Sequence, residues 1–265
     1  MIRILTFLAC LMGSIATAET MKMAVTTSFH NSGLSDVLLP AILADTGLEV
    51  QLLVVGTGQA LRLGEAGDVD AILVHSRAAE EAFVAAGNAP YRREIMYNDF
   101  VFIGPQADPA KIDTATDATQ ALQRIAATQA AFVSRGDDSG THKKESALWQ
   151  AAGLVPVDFG DWYKAVGAGM GASLNTAAGL DAYILADRAS WLNFGNKGTL
   201  ALLFAGDPAL FNQYAYLPIS KDRHAHVNAV AALALEDWLT GSKAEALING
   251  YQIDGEGLFV FNAKR

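Results

Sequence analysis

Ser134-Arg135-Gly136-Asp137-Asp138-Ser139-Gly140-Thr141-His142 concentrates more polar chemistry than any other stretch of the chain. The apolar run Ala130-Ala131-Phe132-Val133 leads into it, and a helical pattern from Lys143 to Ala152 leads out. One short turn therefore carries a guanidinium, the hydroxyls of Ser139 and Thr141, and the free backbone N–H groups of a helix start, including that of Gly140. All are donors, and the object that satisfies several converging donors at once is an oxyanion. Taken alone, Arg135 reads equally well as a surface arginine paired with Asp137 or Asp138. The Ser-Gly-Thr that follows favours the anion, because a helix start leaves N–H groups that need acceptors anyway. Either aspartate could then hold the guanidinium in place while its outer N–H groups face the ligand.

Two other turns repeat this chemistry. Thr26-Thr27-Ser28 and Gly56-Thr57-Gly58 each end a strand-like segment and precede a helical one. A single hydroxyl there reads as a helix cap, whereas a run of three reads as more than a cap. Gly56-x-Gly58 lacks the third glycine of a dinucleotide fingerprint, having Leu61 in that place. Gly167, Gly169 and Gly171 precede Ser173 without the lysine of a P-loop, which leaves Gly171-Ala172-Ser173 as a fourth candidate donor turn. Asp138, Ser139 and His142 have the residue types of a nucleophilic triad, so a secreted serine hydrolase using Ser139 is the enzyme alternative. Triad members normally converge from distant segments, and this reading ranks well below an oxyanion binder. His30, His75, His142, His224 and His226 show no metal-ligand spacing, so no metal or other cofactor is expected; His30, His75 and His142 fall on three turns that could share one rim.

The elements that position these turns follow from hydrophobic period. Met23 to Thr27, Val50 to Val55 and Ala71 to Val74 read as strands, each followed by a helical pattern: Leu34 to Ile42 with Pro40 inside it, Gln59 to Glu65, and Ala78 to Ala86. Such βαβαβα order predicts a parallel sheet with helices on its faces, and its ligands belong beyond the carboxyl ends of the strands, where the donor turns fall. Phe100 to Ile103 is a further strand, ended by Gly104-Pro105. A second α/β stretch follows: Leu122 to Ala127 helical, Ala131 to Val133 a strand, Ser146 to Ala152 helical and Tyr183 to Leu185 a strand. After a break at Gly206-Asp207-Pro208, Tyr214 to Ile219 reads as a strand that returns to the first lobe, with helices at Val227 to Leu239 and Lys243 to Asn249. Trp149, Trp162, Tyr163, Trp191 and Trp238 sit in apolar patterns and are expected in the core.

The chain has 265 residues, 51% of them hydrophobic, enough for two α/β lobes. Residues 1–18 read as a secretory signal: Arg3, an apolar core from Ile4 to Met12 and Ala16-Thr17-Ala18 as cleavage site. The only cysteine, Cys10, lies within it, so the mature chain is expected to have no disulfide. A net charge of -9 argues against nucleic-acid and anionic-lipid partners. It also repels a small dianion at long range, so an oxyanion site must work through local donors.

Taken together, the strings Thr26-Thr27-Ser28, Asn31-Ser32-Gly33-Leu34, Leu38-Leu39-Pro40, Val55-Gly56-Thr57-Gly58-Gln59-Ala60, Met96-Tyr97-Asn98-Asp99-Phe100-Val101 and Ser134 to Glu145 resemble the tungstate-binding periplasmic components of ABC transporters. The resemblance implies a two-lobed type II periplasmic binding protein that captures tungstate in its cleft and delivers it to a membrane permease. It implies lobe I at residues 19–103 and 210–265, lobe II at 104–209, and a monomer. By carry-over, Thr27, Ser28, Thr57, Arg135, Ser139, Thr141 and Ser173 hold the anion, with the N–H groups of Gly58 and Gly140 beside them. Molybdate, phosphate and sulfate remain alternatives. Hydrogen phosphate needs an acceptor in the site, whereas the fully deprotonated ions need donors only.

Overall fold

Alternation along the strands sets the layers of this fold. In the computed structural model, which describes residues 19–137 and 139–264, Met23 and Val25 point to one face of the first strand and Ala24 to the other. The expected signal segment and Asp138 lie outside the described residues. The chain opens with β1 (Glu19–Thr26), α1 (Thr27–Asn31), α2 (Leu34–Thr46), β2 (Leu48–Val55), α3 (Thr57–Ala66), β3 (Ala71–Val74) and α4 (Arg77–Ala85). β1 pairs in parallel with both β2 and β3, as the βαβ pattern predicts. The α2 helix continues across Pro40.

β4 (Arg93–Pro105) then runs through both halves of the molecule. Its first part, Arg93 to Asp99, pairs antiparallel with β9 (Phe211–Pro218), and its second, Phe100 to Ile103, with β7 (Tyr183–Asp187). Between β4 and β9 come α5 (Ala118–Thr128), β5 (Phe132–Ser134), α6 (Gly140–Ala151), β6 (Tyr163–Ala165), α7 (Met170–Leu180), α8 (Arg188–Asn193) and β8 (Leu200–Phe204). After β9 follow α9 (Ala229–Leu239), α10 (Ser242–Gly250), the small β10 (Gln252–Ile253) and β11 (Glu256–Gly257) hairpin, and β12 (Val260–Phe261). Among the described residues ten strands join one sheet, with a main path β2-β1-β3-β9-β4-β7-β5-β6 and with β8 and β12 attached to β4. Each half contains a parallel trio, β2-β1-β3 and β6-β5-β7. The strands that pass between the halves add the antiparallel pairings.

Helices cover both faces of each half, giving a two-lobed α/β architecture with separate cores. Met23, Val25, Leu38, Leu235 and Ile248 fill one face of the first half, and Ala24, Ile72, Phe83 and Leu217 the other. In the second half Phe100, Phe102 and Trp149 face one way, Val101, Ile103 and Trp191 the other. Trp149 and Trp191 are buried as expected, while Trp162, Tyr163 and Trp238 are half-buried.

Candidate functional site

Register brings the expected donor turns to one end of the sheet. Thr26 pairs with Val55, and Val25 with Leu73, so the turns after β1, β2 and β3 start side by side. In the other half Val133 pairs with Ile184 and Ser134 with Ala165, which places Arg135 next to the end of β7. A cavity of about 300 Å³ opens at this junction, lined by Thr27, Ser28, Asn31, Arg135, Asp187, Ser190 and the run from Gly169 to Ala172. It therefore takes walls from both halves: α1 on one side, and Arg135 with the starts of α7 and α8 on the other.

Each wall is fixed by local capping. Thr26 caps α1, its Oγ1 accepting the Phe29 N–H at 3.2 Å and so satisfying one of the first-turn N–H groups that have no intrahelical partner. Ser28 Oγ lies 3.1 Å from His75 Nε2, and the His75 ring rests 4.8 Å from that of Tyr214. Burial pushes the His75 ring down to about 4, so it is neutral near pH 7. Gly169 begins α7 with no side-chain cap, so the amides of the first turn, Met170 to Ala172, supply that wall. Asp187 caps α8, its Oδ1 accepting the Ser190 N–H at 2.9 Å.

Arg135 is 8% exposed and its Nη2 donates to Asp137 at 2.5 Å. Of the two candidate aspartates, Asp137 thus does the holding; Asp138 lies outside the described residues. Burial alone would raise the Asp137 carboxyl, but hydrogen bonds from Ser139 and Arg135 outweigh it and leave its pKa lowered. Arg135 Nε is buried without a partner among the described residues, and Nη1 makes only a long 3.5 Å approach to Thr141 Oγ1. A charged fork clamped at one corner and open at the others is what a tetrahedral oxyanion requires.

The other expected residues take different places. Ser139 is the N-cap of α6, accepting the backbone N–H of His142 at 3.3 Å, the geometry of a cap rather than of a nucleophile. Gly140 brings that helix start against the other half, where a Cβ added to it would lie 2.7 Å from His75 Cε1. Thr57 is buried at the start of α3, its Oγ1 unpartnered among the described residues, and Gly58 follows it half-buried. Ser139, Gly140, Thr141, Thr57 and Gly58 do not line the cavity. Ser173 departs most from expectation: its hydroxyl donates to the carbonyls of Ala168 and Gly169, at 3.2 and 3.1 Å. It is spent on the inside of α7, and the preceding backbone turn faces the cavity instead. Of the histidine rim, His75 reaches the site, while His30 is exposed.

Asn31, Ser190 and Asp187 line the cavity although residue reasoning did not single them out as donors or acceptors. Asp187 ends β7 and begins α8, the same strand-to-helix junction that marks the other turns. Ending that strand at Leu185 hid it. It is 1% exposed, and burial pushes its carboxyl up against the pull of the Ser190 N–H and the Arg135 charge.

A two-lobed α/β fold with a donor-lined cavity between its halves defines a solute-binding protein of the periplasmic type. The chain belongs to the PBP superfamily, whose domain model matches residues 14–243. It is 45% identical over 247 residues to the tungstate-binding protein TupA of Peptoclostridium acidaminophilum, covering 92% of this chain and 86% of that one. Among solved structures it is similar to TupA from Desulfovibrio alaskensis G20, with a TM-score of 0.86 and 41% identity over 93% of this chain and all (100%) of the other. The tungstate ABC transporter structure from Geobacter sulfurreducens matches with a TM-score of 0.80 and 45% identity over 88% and 99% of the two chains.

Proposed function

We propose that this protein is an extracytoplasmic solute-binding protein that captures tungstate between its lobes and hands it to the permease of an ABC transporter. The observation that carries the reading is buried Arg135, clamped by Asp137 at a cavity shared with the starts of α1 and α7. The similarity to tungstate-binding proteins supports the choice of ion and a binding rather than catalytic role. In this reading Thr27, Ser28 and Arg135 contact the anion, the amides of Met170 to Ala172 complete it, and Thr57, Gly58, Ser139, Gly140 and Thr141 close around it. Residues 1–18 direct export, the protein works as a monomer in the periplasm, and lobes at 19–103 with 210–265 and at 104–209 hinge where β4 and β9 pass between them. Among the described residues no helix is long and apolar enough to cross a membrane.

Binding draws the lobes together because donors from both walls are satisfied only around the ion, and a ligand that prefers one state shifts the population to it. Calorimetric titration of the mature protein with tungstate, molybdate, sulfate and phosphate tests the reading. Tungstate is expected to bind far more tightly than sulfate or phosphate, and tighter binding of phosphate would overturn it.

A further inference from the structure

An anion site built from donors contains one buried acceptor. Asp187 lines the cavity wall, is 1% exposed, and uses Oδ1 to cap α8 through the Ser190 N–H at 2.9 Å. Its second oxygen, Oδ2, is buried and has no hydrogen-bond partner among the described residues. Buried carboxylate oxygens are ordinarily satisfied, so an unpartnered one on the wall of a binding cavity points to a ligand or a proton. A dianion brought into the same low-dielectric space cannot sit beside an ionised carboxylate unless a proton lies between them.

None of the surrounding groups bonds Oδ2, although Arg135 Nε and the Tyr214 hydroxyl are buried donors without partners among the described residues. Arg135 faces Asp187 from the end of β5, but its Nη2 is engaged by Asp137. From β9 comes Tyr214, held in its neutral phenol form by burial. His75, just after β3, is neutral and bonded to Ser28. On α8 itself Arg188 turns away to Asp99 of β4, at 2.6 Å, and toward Glu256 at 3.6 Å. The α6 helix, packed on β7, carries His142, Lys143, Lys144 and Glu145; Lys144 Nζ donates to the carbonyls of Ala209 and Phe211, and Glu145 accepts from Trp149 and Tyr163. α1 adds exposed His30, and α7 has no titratable side chain.

Resting on the tungstate reading above, we propose that Asp187 takes up one proton when the oxyanion binds and then donates it, through Oδ2, to a ligand oxygen. The proton comes from solvent and stays on the carboxyl; no bond of the anion is broken. Tungstate carries no proton of its own near neutrality, so the shared proton must reside on the protein, and burial already biases this carboxyl toward its acid form. Protonated Asp187 completes an all-donor shell for a deprotonated ion. Binding is thereby linked to pH, weakening as pH rises through the titration of Asp187 in the ligand-free protein.

Titration calorimetry with sodium tungstate between pH 6 and 9, in pairs of buffers of different ionisation enthalpy, measures both affinity and protons taken up. The wild-type protein is expected to take up close to one proton at the alkaline end, with affinity falling there by about tenfold per pH unit. Asp187→Asn keeps an oxygen to cap α8, and a thermal melt reports whether it folds. This variant is expected to bind with no proton uptake and to exceed the wild type roughly tenfold or more at pH 9. PH-independent affinity in the wild-type protein, or uptake that persists in Asp187→Asn, overturns the proposal. Absence of tungstate binding in the wild-type protein at every pH instead defeats the tungstate reading on which it rests.

Discussion

Arg135 is the one cation on the cavity wall among the described residues, and its contribution follows from being clamped yet incompletely satisfied. Losing a buried charge-assisted contact costs about 2 to 5 kcal/mol, so Arg135→Ala should weaken tungstate binding roughly 30-fold or more. Arg135→Lys restores only part of it, because an ammonium lacks the planar fork. Wild-type affinity in the alanine variant, measured by calorimetry, would reduce Arg135 to a partner for Asp137. Two buried groups set opposing responses to acid. Burial raises Glu145 to about 7, so the native state holds a proton that the unfolded state lacks, and this group adds stability as pH falls from 7 to about 4.5. Burial lowers His75 to about 4, so there the unfolded state gains the proton first and stability is lost as pH falls from 6.5 to 4. Glu145→Gln removes the first contribution, and urea unfolding at pH 6.5 and 4.5 should show it losing more stability on acidification than the wild type does. Parallel losses in both proteins would refute the assignment. Arg135, Thr27 and Ser28 were legible in the sequence because a charged or hydroxyl side chain on a strand-to-helix turn announces itself. Asp187 was not, since an acid in a donor site runs against the chemistry being sought.

At the scale of elements, the site is an arrangement of helix starts. α1, α6, α7 and α8 all begin at the same end of the sheet, and their first N–H groups carry the positive end of each helix toward it. α6 reaches across to His75 only because Gly140 has no side chain. Gly140→Val should therefore hold α6 off the opposite lobe; overpacking of about 1 to 3 kcal/mol corresponds to an affinity weaker by roughly five- to 150-fold. The folded lobes should survive, so unchanged thermal stability without tungstate, together with weakened binding, is the expected pair of measurements. Full affinity would mean that α6 need not approach His75 for binding. Periodicity found β3 at Ala71–Val74 and located α2, α3 and α4 to within a few residues, but not the short α1. It missed the first half of β4, where Arg93, Glu94, Asn98 and Asp99 interrupt the apolar pattern. Those residues meet tertiary partners instead: Arg93 donates to Glu236 at 2.9 Å, Asn98 Oδ1 accepts from Asn212 at 2.7 Å, and Asp99 accepts from Arg188 at 2.8 Å. Short β6 and Gly-rich α7 gave too little pattern to read, and their pairing is set by neighbours.

For the whole molecule, charge and site have opposite signs of influence. A net charge of -9 repels a dianion at long range, while the local donors attract it at contact. Added salt shortens the screening length from about 30 Å at 0.01 M to about 8 Å at 0.15 M, which removes the repulsion before it touches the buried contacts. The association rate of tungstate, followed by stopped-flow tryptophan fluorescence, should therefore rise with salt over that range. A rate that falls would reveal a positive entrance field that the net charge conceals.

The pairing of β4 with β9 has a consequence of another kind. Asp99 lies opposite Phe211 in register, so the chain leaves the first lobe and re-enters it through neighbouring, antiparallel strands. Everything between those two residues is, architecturally, an insertion with a single doorway. Antiparallel neighbours can be joined by a turn of only a few residues. The strands of the first lobe thus pair without the second, and only α8 returns to it, with Ala189 in its core: a shorter ancestral protein could have acquired its partner lobe in one event at this doorway, and a protein engineer grafting a different lobe there would need to keep α8.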